Sequence, residues 1–135
     1  MTDRDLAREL VECPRFEWRV GMKPLGHGHV VRVIARGSLF VSTRATWRYQ
    51  RHETKRWSAD LADPATQGVL HAIGVELLPD GWSLYVKRYA DQWGVEVNSR
   101  GTVLQKQWYV LDRWDEGLGH ALAGCIIWLA GREDG

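Results

Sequence analysis

Apolar and polar residues alternate over several short stretches of the chain, and this pattern predicts β-strands. In residues 82–86 and again in residues 93–97, every second residue is apolar, beginning with Trp82 and Trp93. Successive side chains of a strand point to opposite faces, so each stretch has one buried and one solvent-facing side. The solvent-facing side of the first stretch and its continuation comprises Ser83, Tyr85, Lys87 and Tyr89. The short connection through Ala90, Asp91 and Gln92 predicts that the two strands form a hairpin.

Further strands are predicted at residues 16–20, 30–35, 39–49 and 103–111. Residues 36–38 are predicted to form a turn, and the basic residues that follow Tyr49, from Arg51 to Arg56, are predicted to lie in a loop. Within 39–49, Leu39 and Val41 share the apolar parity, whereas Ser42, Arg44 and Arg48 share the other. This alternation predicts that Arg44 and Arg48 face solvent on one side, about 13 to 14 Å apart at roughly 3.4 Å per residue. In residues 103–111 the alternation is too mixed to assign a buried face.

Three helices are predicted around these strands. The first begins at Thr2 or Asp3 and stops before Pro14. The second has the clearest start, because Asp63 is a good capping residue and Pro64 suits the first helical position. The third follows Asp115, and its glycines and alanines predict close backbone approach to another element or subunit.

These elements predict an α+β fold: a single domain over residues 1–135, with a mainly antiparallel sheet of about five to six strands packed with three helices. A chain of 135 residues buries roughly two thirds of its unfolded surface, which suffices for one core. Eight tryptophans are present, and most are expected to serve packing. Cys13 and Cys125 are expected to be buried free thiols.

No apolar run is long enough to cross a membrane, and the charged N-terminus does not resemble a secretory signal. The sequence therefore predicts a protein of the cytoplasm, with no membrane partner.

Positive charge is concentrated in one segment. Residues 30–57 contain seven Lys or Arg and one acid, Glu53, a net charge of +6, whereas the whole chain carries +1 and the other 107 residues therefore carry −5. Such a segment attracts an anionic partner whatever the net charge of the chain.

We expect a non-enzymatic interaction protein that binds an acidic macromolecule, foremost an acidic protein surface. The predicted contact residues are basic: Arg44, Arg48, Arg51, Lys55 and Arg56. Arginine suits this role because its planar fork matches carboxylate and phosphate groups. The alternative is a nucleic-acid-binding protein that uses the same residues. A solvated strand face without a partner is the structural alternative.

Catalytic and cofactor signals are weak. His27 and His29 have a spacing that places two imidazoles on one side of a strand, but no third ligand is nearby and the flanking residues are glycines. A metal-dependent enzyme built on these histidines stays an alternative, as does a structural subunit that self-associates through the third helix. No nucleophile motif or phosphate-binding loop is present, so no catalytic residue, metal or cofactor is assigned.

The run Leu-Ala-Asp-Pro-Ala-Thr-Gln-Gly-Val-Leu at residues 61–70, between strands and followed much later by a small-residue helix, resembles a group of small uncharacterised proteins encoded by bacteriophages and prophages. The resemblance implies a phage context, and with it the cytoplasm of a bacterial host. Small phage proteins of this kind often act by binding, as accessory or host-directed factors.

Overall fold

The computed structural model describes residues 3–25, 30–35, 38–42, 50–53, 58–111 and 117–132. The helices are α1 (Asp3–Glu12), α2 (Pro64–Leu77) and α3 (Gly117–Ala130). The strands are β1 (Val30–Ala35), β2 (Ser38–Ser42), β3 (Gln50–Glu53), β4 (Ser83–Arg88), β5 (Gln92–Ser99) and β6 (Val103–Leu111). A single 3₁₀ turn, Arg100–Thr102, connects β5 to β6.

Helix α2 begins where the sequence predicts, because Asp63 caps it. The Asp63 carboxylate accepts hydrogen bonds from the backbone N–H of Thr66 (3.0 Å) and from the Thr66 hydroxyl (2.9 Å). These bonds satisfy a donor that the first turn of a helix otherwise leaves unpaired. The Thr66 hydroxyl also accepts from the backbone N–H of Lys23 (2.9 Å), so the buried helix start is joined to the segment that precedes β1.

The first sheet is antiparallel, in the order β1-β2-β3. Its strands pair from Ala35 opposite Ser38 onward, and a bulge interrupts β1 between Val31 and Val33. Strand β3 lies where the sequence analysis expected a loop, and it pairs Arg51 with Phe40 of β2. The loop prediction is wrong because four polar residues show no apolar alternation, and only the pairing with β2 makes them a strand.

The second sheet is also antiparallel, in the order β4-β5-β6. On its inner face Val95 and Val97 are fully buried, as their parity predicts. A register shift occurs beside Val97: this residue pairs with Lys106, whereas Asn98 pairs with Leu104. Gln105 is therefore an extra residue in β6, and the parity of β6 changes there.

Helix α3 is the centre of the core. It packs against α1 and α2 on one side and against β5 and β6 on the other. A Cβ atom added to Gly119 would lie 2.0 Å from the carbonyl oxygen of Leu61, and one added to Gly124 would lie 3.0 Å from the Trp108 ring. The predicted close approach of this helix is thus made within the chain.

The prediction of one sheet with five to six strands is wrong. The α+β class with three helices is confirmed, but in the described part of the chain each sheet has three strands, and a single three-stranded antiparallel sheet packs against the helices. Alternation identifies a strand but not its neighbour, since pairing depends on residues far apart in sequence. That the chain is one domain stays a prediction.

Two finer strand predictions are also wrong. Residues 16–20 do not form a strand; the rings of Phe16 and Trp18 instead meet edge to face at 5.6 Å, and Trp18 is buried. Val86 has the parity of the inner face but is 37% exposed. Helix α3 lies over β5 and β6, so this end of β4 is left uncovered.

Candidate functional site

The predicted basic contact residues are only partly within the described chain. Arg51 lies in β3, at the edge of the first sheet as described. Arg44, Arg48, Lys55 and Arg56 lie outside the described residues. Their joint surface therefore stays a prediction.

The face assigned to Ser42 by parity is wrong. The sequence analysis placed Ser42 with Arg44 and Arg48 on the solvent side, but Ser42 is only 3% exposed. It pairs with Val30 at the end of the sheet where β1 joins the core: Gly21 N–H donates to Val31 O, and Val31 N–H donates to Met22 O, both at 2.9 Å. Ser42 is thus buried at a position that alternation alone assigns to solvent.

The second sheet has an exposed face rich in tyrosine, which we call the outer face. From the pairing it comprises Ser83, Tyr85 and Lys87 of β4, Gly94, Glu96 and Asn98 of β5, and Leu104, Gln107 and Tyr109 of β6, with Tyr89 just beyond β4. Tyr85, Tyr89, Tyr109 and Leu104 are 43%, 45%, 42% and 47% exposed. The solvated face of an antiparallel sheet is usually polar. Three exposed tyrosine rings on one face are therefore unusual.

A glycine forms the floor under two of these rings. A Cβ atom at Gly94 would lie 2.7 Å from Tyr109 and 3.4 Å from Tyr89, so both rings lie close over the backbone of β5. The ring centroids of Tyr89 and Tyr109 are 5.7 Å apart, and their planes are tilted by 60°. The two aromatic side chains are thus held against the sheet instead of projecting freely from it.

A polar network fixes the same rings. The Lys87 ammonium lies 2.8 Å from one Glu96 oxygen, and the Tyr109 hydroxyl donates toward the other (3.2 Å) and toward Gln107 Oε1 (2.9 Å). The hydrogen bond from Lys87 holds the pKa of Glu96 below its usual range, and the same contact raises the pKa of Lys87. The neighbouring Tyr89 hydroxyl, partial burial and the Glu96 carboxylate raise the pKa of Tyr109 to about 12. At neutral pH the tyrosine is therefore protonated and the ion pair is charged.

Sequence reasoning found part of this face. Alternation already gave Tyr85, Lys87 and Tyr89 the solvent parity. It did not assign Tyr109, because the bulge at Gln105 shifts the parity of β6 and makes its pattern look mixed. The glycine floor was likewise missed, since it follows only from which residues pair across β5.

Four of the five described tryptophans pack in or against the core, as expected: Trp18, Trp82, Trp108 and Trp128. Trp18 is buried, and Trp108 meets Trp128 edge to face at 5.8 Å. The Arg132 guanidinium lies 4.5 Å from the Trp82 ring centroid and 4.8 Å from that of Trp128. Trp93 is half-buried beneath Arg88, at 4.8 Å.

Other reactive groups do not combine into a site within the described residues. Cys13 and Cys125 are both free thiols. Burial raises the pKa of Cys125 to about 12, which leaves it protonated and unreactive at neutral pH. Cys13 is half-buried beside a groove of about 480 Å³ that Phe16, Trp18 and Ile34 also line.

His27 and His29 lie outside the described part of the chain, and the residues within it contain no cluster of metal-ligating side chains.

Comparison with protein-family models, with curated proteins and with solved structures found no match to this chain. The resemblance to phage and prophage proteins at residues 61–70 therefore stays a prediction. Structurally, that run supplies the capped start of α2 and the Leu61 carbonyl that contacts Gly119. None of the helices in the described ranges has the length and apolar character that a membrane crossing requires.

Proposed function

We propose that the protein is a non-enzymatic interaction protein, of the accessory or host-directed kind found in phages, that binds an acidic protein surface through its basic segment. The observation that carries the proposal is the net charge of +6 on residues 30–57 in a chain of net charge +1. The contact residues are Arg44, Arg48, Arg51, Lys55 and Arg56.

Strand packing supports this assignment. The strands β1, β2 and β3 all belong to the basic segment, and in the part of the chain that the structure describes they pack mainly against one another. By contrast, β5 and β6 are packed against α3. A sheet without an extensive helical cover leaves strand surface for a partner, and arginine forks on such a surface suit carboxylate groups.

The test compares two polyanions. Purified protein is titrated with poly-L-glutamate and with random-sequence duplex DNA at about 50 and 200 mM salt. An Arg44→Glu, Arg48→Glu variant is compared with an Arg8→Glu, Arg15→Glu variant, which makes the same change in net charge outside the basic segment. We expect poly-L-glutamate to bind wild type and the control variant at low salt, and not the Arg44→Glu, Arg48→Glu variant.

Two results would overturn the proposal: no binding of poly-L-glutamate to wild type at low salt, or equal binding by the two charge variants. Binding of DNA alone, with a log-log salt slope near −4 for about four neutralised phosphates, would instead identify a nucleic-acid-binding protein using the same segment.

A further inference from the structure

One arginine is shared by two tryptophan rings from different elements of the fold. Trp82 lies just before β4, Trp128 lies in the last turn of α3, and Arg132 follows that helix. The central carbon of the Arg132 guanidinium is 4.5 Å from the Trp82 ring centroid and 4.8 Å from that of Trp128. Both distances lie within the about 6 Å at which the face of an aromatic ring attracts a cation. We call Trp82 and Trp128 the tryptophan pair.

The tryptophan pair is held by the fold and is accessible from solvent. Trp128 meets Trp108 of β6 edge to face, and Trp82 packs against the core, so neither ring depends on Arg132 alone for its position. Trp82, Trp128 and Arg132 are each only half-buried. A guanidinium group from another molecule therefore has access to the same two rings once Arg132 leaves them.

The chemistry of these rings favours a planar cation. Formal charge does not attract a cation here, because α3 contains no acidic residue and Arg100 packs over Gly81 beside Trp82. The attraction comes from the rings: indole attracts cations more strongly than the other aromatic side chains do. Guanidinium stacks on such rings because it is planar and weakly hydrated, whereas an ammonium group is compact and strongly hydrated.

We propose that the tryptophan pair is a binding site for guanidinium groups and that Arg132 closes it as an intramolecular competitor. The site belongs to α3 and the start of β4, so it does not depend on the basic segment of the proposed function. Because only Gly131 separates Arg132 from α3, the effective concentration of its guanidinium at the rings exceeds that of a free guanidinium in the millimolar range. The site is thus closed in the structure and opens when Arg132 is displaced or removed.

Removal of the competitor tests the proposal. The indole N–H signals of wild type and Arg132→Ala are followed by NMR during titration with butylguanidinium at constant ionic strength, and butylammonium serves as the matched ligand without a planar cation. For Arg132→Ala we expect the Trp82 and Trp128 signals to shift with a dissociation constant on the order of 10 mM, as two cation–π contacts predict. Wild type should bind butylguanidinium at least about tenfold more weakly, because Arg132 must first be displaced. Butylammonium should bind Arg132→Ala more weakly than butylguanidinium does.

Three variants control for charge and for folding. Arg88→Ala removes the same charge and a guanidinium that lies 4.8 Å from a single ring, that of Trp93, so it should not increase binding at the tryptophan pair. Trp82→Leu combined with Arg132→Ala removes one ring and should abolish the shift of the Trp128 signal. Trp82→Phe in the same background keeps a ring and should keep part of the binding. Thermal unfolding confirms that each variant is folded.

Two peptides distinguish the possible sources of the guanidinium. Binding of Gly-Arg-Gly to Arg132→Ala that is tighter than that of butylguanidinium, with no binding of Gly-Lys-Gly, would identify an arginine side chain of a partner protein, and the reverse order would identify a small molecule. The proposal is overturned if Arg132→Ala binds butylguanidinium no better than wild type, or if Trp82→Leu leaves that binding unchanged. Lower thermal stability of Arg132→Ala without a response to butylguanidinium would assign Arg132 a structural role alone.

Discussion

The two three-stranded sheets that the structure describes have the same topology but are stabilised differently. The second sheet buries Val95 and Val97 against α3 and holds an organised tyrosine face on its other side. The first sheet is joined to the core chiefly at one end, through Val31 and the backbone bonds to Gly21 and Met22. Strand pairing alone does not make a sheet a platform. In the second sheet the inner face is packed against α3, and this rigid support allows the side chains of the outer face to be held in a fixed arrangement.

The largest expected effect concerns the helix that supports the second sheet. Gly119→Ala places a methyl group 2.0 Å from the Leu61 carbonyl oxygen, so two backbone segments must separate. We expect a loss of about 3 kcal/mol in the free energy of unfolding, measured by denaturant titration with tryptophan fluorescence.

The matched control for that substitution is Gly68→Ala in α2. An added Cβ atom at Gly68 meets nothing within 4 Å, so the higher helix propensity of alanine should stabilise the protein by about 0.5 to 1 kcal/mol. Destabilisation by both substitutions would contradict the view that Gly119 is required for contact with Leu61.

A second prediction tests whether the two sheets share one core. Val31 in β1 and Val97 in β5 are both fully buried. Changing either to alanine should lower the free energy of unfolding by roughly 2 kcal/mol, because two methyl groups are lost and a small cavity remains. Val86→Ala, at a 37% exposed position, should change it by less than about 0.5 kcal/mol.

The shape of the transition is informative as well. If both sheets belong to one cooperative unit, Val31→Ala and Val97→Ala shift a single thermal transition. A separate transition at lower temperature, seen in Val31→Ala but not in Val97→Ala, would show that the first sheet unfolds independently of the second.

A third prediction concerns the polar junction between the regions. Asp63→Ala removes the cap of α2 and the partner of the buried Thr66 hydroxyl. We expect a loss of about 1 to 2 kcal/mol by chemical denaturation. Asp63→Asn keeps a capping oxygen, so its free energy of unfolding should fall much less. Equal losses in the two variants would show that the negative charge of Asp63, and not its capping oxygen, is responsible.

The smallest effect is the pH dependence of the outer face. The pKa of Glu96 is lowered in the folded protein, so its contribution to stability is present above the ordinary value of 4.5 and is lost as pH falls through the lower folded value. Glu96→Gln should therefore flatten the acid side of the stability profile slightly. Because its partner Lys87 is exposed, salt screens this ion pair. Coincidence of the Glu96→Gln and wild-type stability profiles at high salt is therefore compatible with the assignment, but coincidence at low salt would contradict it.

Tyr109 titrates on the alkaline side. Its pKa is raised to about 12, so the stabilisation from its protonated hydroxyl is present below pH 10 and falls as pH rises through the folded value. Tyr89→Phe removes the first contributor to the raised pKa and should move the tyrosinate absorbance of Tyr109 to lower pH.

Much of the fold was predictable where the determining interactions are local. The start of α2 follows from Asp63 and Pro64, and the inner positions of β5 follow from simple alternation. The candidate surfaces were predictable only in part: Tyr85 and Tyr89 have the solvent parity in sequence, but Tyr109 is obscured by the bulge at Gln105. Alternation also assigned Ser42 to the solvent side, whereas the structure buries it at the end of the first sheet that is hydrogen-bonded to Gly21 and Met22.

The sequence by itself determined the three helices, most of the strands and the concentration of positive charge in residues 30–57. These features depend on caps, periodicity and composition, which act between near neighbours. Only the tertiary structure decided that the strands divide between two sheets, that the small residues of α3 contact Leu61 and Trp108, and that Tyr89 and Tyr109 rest on Gly94. Each of these depends on which distant residues come together, and burial and pairing between distant segments are not encoded in a local pattern.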